Sequence, residues 1–208
     1  MATLSTRRPP VFNVPNQLTL ARFLLSLVLF YLITESRWLA SFIVFALASF
    51  TDWLDGYLAR KQGLASTLGR NLDPLVDKIL ICGAYIFLLP FGMKGDGWLA
   101  PWMVTVIVAR ELVITSLRSF METRGASFGA DWLGKLKMGL QCAALLVVFT
   151  ALWMRAPDGG EGIFPANLVA FFEQARDGLI WGMLAATMLS GLQYLYRAAA
   201  ALKTEPES

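Results

Sequence analysis

Residues 51–78, TDWLDGYLARKQGLASTLGRNLDPLVDK, hold four aspartates, Asp52, Asp55, Asp73 and Asp77, between two strongly apolar flanks. Gly56, Ala59, Arg60 and Gly69 are interleaved with them. On a helix, positions 52, 55, 56, 59 and 60 are linked by steps of three or four and make one stripe; positions 66, 69, 73 and 77 make a second. Two carboxylates on each of two neighbouring helices can enclose a hard divalent cation, which takes oxygen ligands. Gly56 and Gly69 leave room for a ligand, and Arg60 offers a fixed cation to phosphate. The competing reading is a charged loop with solvated carboxylates. Carboxylates this close to a membrane interior are normally functional, which favours the site.

The flanks define the class. The chain has 208 residues, 56% of them hydrophobic and 16% charged, with a mean hydropathy of +0.56. A soluble domain of this length needs more polar surface, so the composition describes a polytopic membrane protein. A net charge of +3 gives no argument for nucleic acid. The absence of histidine removes the commonest general base and the commonest zinc ligand. Cys82 and Cys142 lie inside apolar runs and read as packing residues rather than a disulfide. The polar N-terminus shows no cleavable signal peptide.

Measured against the roughly 20 apolar residues that cross a bilayer, the sequence predicts six spans near 16–35, 38–60, 71–91, 98–122, 132–154 and 177–201. The expected fold is therefore an all-α integral membrane protein with six transmembrane helices. One domain covers 15–202, after an N-terminal cytoplasmic or interfacial segment at 1–14 and before a disordered tail at 203–208. With both termini inside, the outer loops hold only Arg37, Lys94, Arg155 and Arg176, and Arg110 lies within a span. The remaining lysines and arginines fall on the cytoplasmic side, which puts the aspartate stretch there too. The outer loop at 155–176 is long; its second half, FPANLVAFFEQARDG, reads as a short interfacial helix.

Two further stretches carry polar residues inside apolar helices. In NVPNQLTLAR at 13–22, Asn16, Thr19 and Arg22 recur at steps of three and share one face. In VARELVITSLR at 108–118, Arg110 and Glu111 sit well inside a span, and Arg118 follows two turns on. An intramembrane arginine needs a wet cavity or a partner. Either an ion pair with a carboxylate holds helices together, or Arg110 belongs to a cationic phosphate pocket. WLGKLKMGLQ at 132–141 adds Lys135 and Lys137, which can share one pocket only if the helix starts late, because residues two apart point to nearly opposite sides. The positive-inside rule also accounts for both lysines.

The pattern D-x2-D-G-x2-A-R-x8-G-x3-D-x3-D over 52–77 resembles the signature of the CDP-alcohol phosphotransferases, membrane enzymes that build phospholipid head groups. With so many specified positions in one window, the warning that attaches to short motifs carries little weight. The combination of NVPNxLTxxR, AREL, SLR and GKLK resembles the branch of that family whose acceptor is sn-glycerol 3-phosphate, and the likeness covers Asn13 to about Gln141. It implies transfer of a phosphatidyl group from CDP-diacylglycerol to glycerol 3-phosphate with loss of CMP, at the cytoplasmic face of the cell (inner) membrane, by a homodimer.

It also implies a set of roles. Asp52, Asp55, Asp73 and Asp77 would hold Mg2+ or Mn2+, which suit an all-carboxylate site. Asp77 would serve in addition as general base. Gly56 and Arg60 would accept the cytidine diphosphate, with Asn16, Thr19 and Ser66 as weaker contacts. Arg110, Arg118, Lys135 and Lys137 would receive the acceptor's phosphate. Within the family, inositol phosphate, serine or phosphatidylglycerol are alternative acceptors. A cation-coupled transporter could also use membrane carboxylates, but has no use for a phosphate-reading arginine beside them. A non-catalytic assembly protein could carry a relic of the motif, yet no motif position is missing.

Overall fold

In a computed structural model of the chain, residues 14–62, 67–94, 97–123, 132–157 and 159–204 are described; at 14–16, 52–62, 67–74, 122 and 201–204 the description covers the backbone alone. Six α-helices follow one another, with no strand among the described residues: α1 (Val14–Thr34), α2 (Trp38–Gln62), α3 (Thr67–Gly92), α4 (Pro101–Thr123), α5 (Trp132–Met154) and α6 (Ala166–Thr204). The all-α reading is borne out, and five of the six helices lie within a few residues of their expected limits. The aspartate stretch is helical on both sides of its middle, in the last turns of α2 and the first turns of α3.

The helices close into a ring: α1 packs on α2 and α3, α3 on α4, α4 on α6, α6 on α5, and α5 on α2, with α3 and α5 also meeting across it. The core runs along the inside. Leu29 and Ile33 of α1, Phe45 of α2, Tyr85 and Leu88 of α3, Ile107 of α4, Leu145 and Phe149 of α5 and Ile180 of α6 are fully buried. Outside, Leu24, Tyr31, Leu47, Leu112, Trp181, Leu192 and Tyr196 are exposed. In water such a surface would aggregate; against lipid tails it is the solvated face.

Among the described residues, four helices contain a segment long and apolar enough to cross a membrane: Gln17–Thr34, Leu75–Gly92, Trp132–Met154 and Ala166–Ala200. In α2 the described apolar part is the shorter Trp38–Thr51. Arg110, Glu111 and Arg118 interrupt the apolar character of α4.

Local chemistry sets the joints. At the end of α1, Ser36 takes the left-handed conformation (φ 57°), its N–H donates to the Ile33 carbonyl at 3.0 Å and Arg37 N–H donates to the Leu32 carbonyl at 2.9 Å. This pair of bonds caps the helix and turns the chain into α2 within a few residues. Pro101 occupies the first position of α4, where its missing N–H costs nothing.

The last helix departs from expectation. The stretch read as a separate interfacial helix is continuous with the sixth span, in one helix of 39 residues. At 1.5 Å per residue it is ~58 Å long, well beyond a ~30 Å hydrocarbon core, so part of it stands outside the bilayer. Arg176, expected in an outer loop, lies inside this helix and is 5% exposed. Its guanidinium sits 4.9 Å from the Trp98 ring centroid and donates to Asp177 at 2.7 Å. A ring face and a neighbouring carboxylate satisfy the cation there.

Candidate active site

The site is built from α1 and α3 outward. Thr19, Arg22 and Ser26 recur at steps of three and four on α1 and are all buried. Arg22, 1% exposed, donates from Nη1 to Asp77 Oδ1 of α3 at 2.8 Å. Asp77 keeps 24% of its side chain exposed, and Arg22 orients its carboxylate.

Asp77 borders a pocket of about 200 Å³ between α3, α4 and α5. Asp77, Lys78 and Ile81 line it from α3, Glu111 from α4, and Lys137, Met138 and Gln141 from α5. Lys137, buried, donates to Glu111 Oε1, and Arg110 Nη1 lies 3.4 Å from the same oxygen. One carboxylate therefore serves two cations, and the cluster around it keeps a positive excess in a poorly hydrated place. Such a cluster attracts an anion. Arg110 turns its Nη2 toward α6, donating to Ser190 Oγ at 2.9 Å, and its Nε is buried without a partner. Arg118 Nε donates to the Tyr194 hydroxyl of α6 at 3.1 Å.

Of the residues expected at the site, Asp77 and Lys137 meet in this one pocket. Thr19 is buried on the Arg22 face of α1. Arg110 and Arg118 do not line the pocket: both bond to α6, and Arg110 reaches the wall only through Glu111. Because α5 begins at Trp132, both lysines are on the helix; Lys137 is buried and Lys135 exposed, as opposite sides require. The side chains of Asn16, Asp52, Asp55, Gly56, Arg60 and Asp73 lie outside the described residues, as does all of Ser66. Three polar pocket residues escaped the sequence reading as site residues: Lys78, Glu111 and Gln141. Gln141 did carry a signal, since it falls one helical turn after Lys137 on the same face.

Among the described residues no three metal-ligating side chains cluster, Asp77 being the one acidic member of the aspartate stretch whose side chain is described. The donor chemistry nevertheless fits a hard divalent ion. Asp77 presents a partly open carboxylate, and the chain has no histidine to favour a softer metal.

The family model for CDP-alcohol phosphatidyltransferases matches residues 12–190, a span that includes the aspartate stretch and the pocket. The chain belongs to this family, which acts in phospholipid biosynthesis and generally depends on a divalent metal. It is 36% identical over 151 residues to the CDP-diacylglycerol–glycerol-3-phosphate 3-phosphatidyltransferase of Bacillus subtilis, covering 72% of this chain and 68% of that one. It is 31% identical over 196 residues to the enzyme of the same name from Escherichia coli K12, covering 92% of this chain and 97% of that protein. The Rickettsia typhi enzyme of that name is 31% identical over 185 residues, 88% of this chain and 94% of its own.

Proposed function

We propose that this protein transfers the phosphatidyl group of CDP-diacylglycerol to sn-glycerol 3-phosphate, giving phosphatidylglycerophosphate and CMP. The observation that carries the reading is the likeness to enzymes of that name over nearly the full length of both chains. The acceptor's C1 hydroxyl attacks the phosphorus that bears diacylglycerol, a P–O bond forms, the bond to CMP breaks, and the hydroxyl proton goes to a base. Both substrates are anionic, so the protein's task is to neutralise charge and align the groups.

Asp77 serves as the base, a reading supported by the Arg22 pairing to one of its oxygens and by its position on the pocket lining. Lys137 lines the same pocket from α5 and takes the acceptor's phosphate, exchanging part of its pairing with Glu111 for the incoming anion; Arg110 supports it through the shared carboxylate, and Arg118 and Lys135 add positive potential. Asp52, Asp55, Asp73 and Asp77 are the residues that would hold Mg2+ or Mn2+. Bound there, the ion supplies Lewis-acid stabilisation of pyrophosphate charge. Gly56, Arg60, Asn16, Thr19 and Ser66 are assigned to CDP-diacylglycerol. Six crossings with the site on the cytoplasmic side of the inner membrane, and a homodimer, complete the proposal. It is tested with purified protein, CDP-diacylglycerol and a panel of acceptors, following CMP release: glycerol 3-phosphate supports turnover, whereas inositol phosphate, serine and phosphatidylglycerol do not. A better rate with any of those three reassigns the acceptor.

A further inference from the structure

One polar group on the pocket wall has no part in that scheme. Gln141 is 1% exposed and its Nε2 is buried without a hydrogen-bond partner. The backbone that carries it is tied to α3, where its carbonyl accepts the Tyr85 hydroxyl at 3.2 Å. Buried donors in folded proteins are nearly always paired, so an orphan beside a cavity marks where a ligand atom belongs.

The size of the cavity narrows the ligand. About 200 Å³ is below the ~300–1,000 Å³ of pockets that enclose drug-sized molecules, so it suits the small acceptor and not the nucleotide-bearing lipid. Glycerol 3-phosphate has three polar functions: the attacking C1 hydroxyl, the C3 phosphate and the C2 hydroxyl. With the first at Asp77 and the second at Lys137, the C2 hydroxyl is left, and Gln141 is the neutral donor left on the wall. A carboxamide can donate to a hydroxyl oxygen and accept that hydroxyl's proton. It does so without adding charge to a site that already holds several.

We propose that Gln141 is a binding residue that reads the C2 hydroxyl of the acceptor, donating to it from Nε2. This rests on the acceptor assignment above. The test compares sn-glycerol 3-phosphate with 3-hydroxypropyl phosphate, which lacks only that hydroxyl, by CMP release from the purified full chain. The wild type favours glycerol 3-phosphate in kcat/KM by about ten- to a hundred-fold. Gln141→Leu loses that preference by falling on glycerol 3-phosphate alone, and its KM for CDP-diacylglycerol stays where it was. Gln141→Met, which keeps the length of the side chain, takes its place if the leucine variant fails to fold. Equal use of the two acceptors by the wild type overturns the assignment without any variant. So does a folded variant that keeps the preference, or one that weakens both acceptors alike, and either result leaves the acceptor reading intact. Failure of the wild type to use glycerol 3-phosphate at all overturns the acceptor reading, and the Gln141 assignment with it.

Discussion

The two ends of the helical ring treat buried charge in opposite ways. At the end where α3 starts, Arg22 pairs with Asp77 across the α1–α3 seam and Lys137 with Glu111 between α5 and α4, and Arg110 Nε and Gln141 Nε2 remain orphaned. At the end where α3 stops, the buried cation Arg176 lies over Trp98 and beside Asp177. Elsewhere at the helix ends aromatic rings pair: Trp38 meets Phe91 edge to face at 4.7 Å, and Trp153 meets Phe164 at 5.4 Å. Both ends sit in an apolar protein of the same helices. The contrast teaches that burying charge is not what marks a site, since Arg176 is as buried as Lys137. What marks it is charge and polarity left partly unanswered around a cavity.

Substitutions at the two ends can break that contrast. The largest effect is expected from the aspartates. Asp52→Asn, Asp55→Asn and Asp73→Asn each lose most turnover, EDTA abolishes activity and Mg2+ or Mn2+ restores it, because each removes a charged oxygen from a hard-cation site. Full activity after exhaustive chelation would remove the metal from the mechanism.

Next comes Asp77→Asn, expected to cut kcat by about 10²–10⁴ while CDP-diacylglycerol still binds. Collapse of lipid binding together with the rate would make Asp77 chiefly a ligand to the metal.

A smaller change, about ten- to a hundred-fold in kcat/KM for glycerol 3-phosphate, is expected for Lys137→Gln, with KM for CDP-diacylglycerol held. Arg110→Lys follows with a smaller rise in KM for glycerol 3-phosphate, since it acts through Glu111 and keeps its charge. Equal weakening of both substrates by either variant would make these cations structural.

Least affected in activity is Trp98→Ala at the opposite end. It costs about 3–5 kcal/mol of stability by opening a cavity and stripping Arg176 of its ring. Turnover per folded molecule is expected to stay within about twofold, as for distant independent sites. A large fall in kcat at full folding would show that the two ends are coupled.

Much of this was legible in the sequence for local reasons. Apolar runs announce helices, Pro101 opens α4 where a proline is tolerated, and the aspartate spacing carries the family likeness. The length of α6 was not legible, because Asp177, Gly178 and Gly182 look like a break. A mid-helix glycine costs only about 1 kcal/mol, and the packing of α6 against α4 and α5 outweighs it. The Arg22–Asp77 pair joins residues 55 apart, which no periodicity reveals. Gln141 entered the sequence reading only as the far end of the family likeness. Its meaning depends on a cavity assembled from three elements, and on the lack of a partner that only packing exposes.

The most direct test follows the glycerol itself. Purified protein in detergent with Mg2+ and CDP-diacylglycerol receives sn-glycerol 3-phosphate labelled in its carbon, and the lipid extract and CMP are both quantified. The expected result is label in a new acidic phospholipid, one equivalent for each CMP released, absent in Asp73→Asn. Release of CMP with no label in the lipid, or label in the lipid from Asp73→Asn at the wild-type rate, would contradict the claim that this pocket joins glycerol 3-phosphate to the phosphatidyl group.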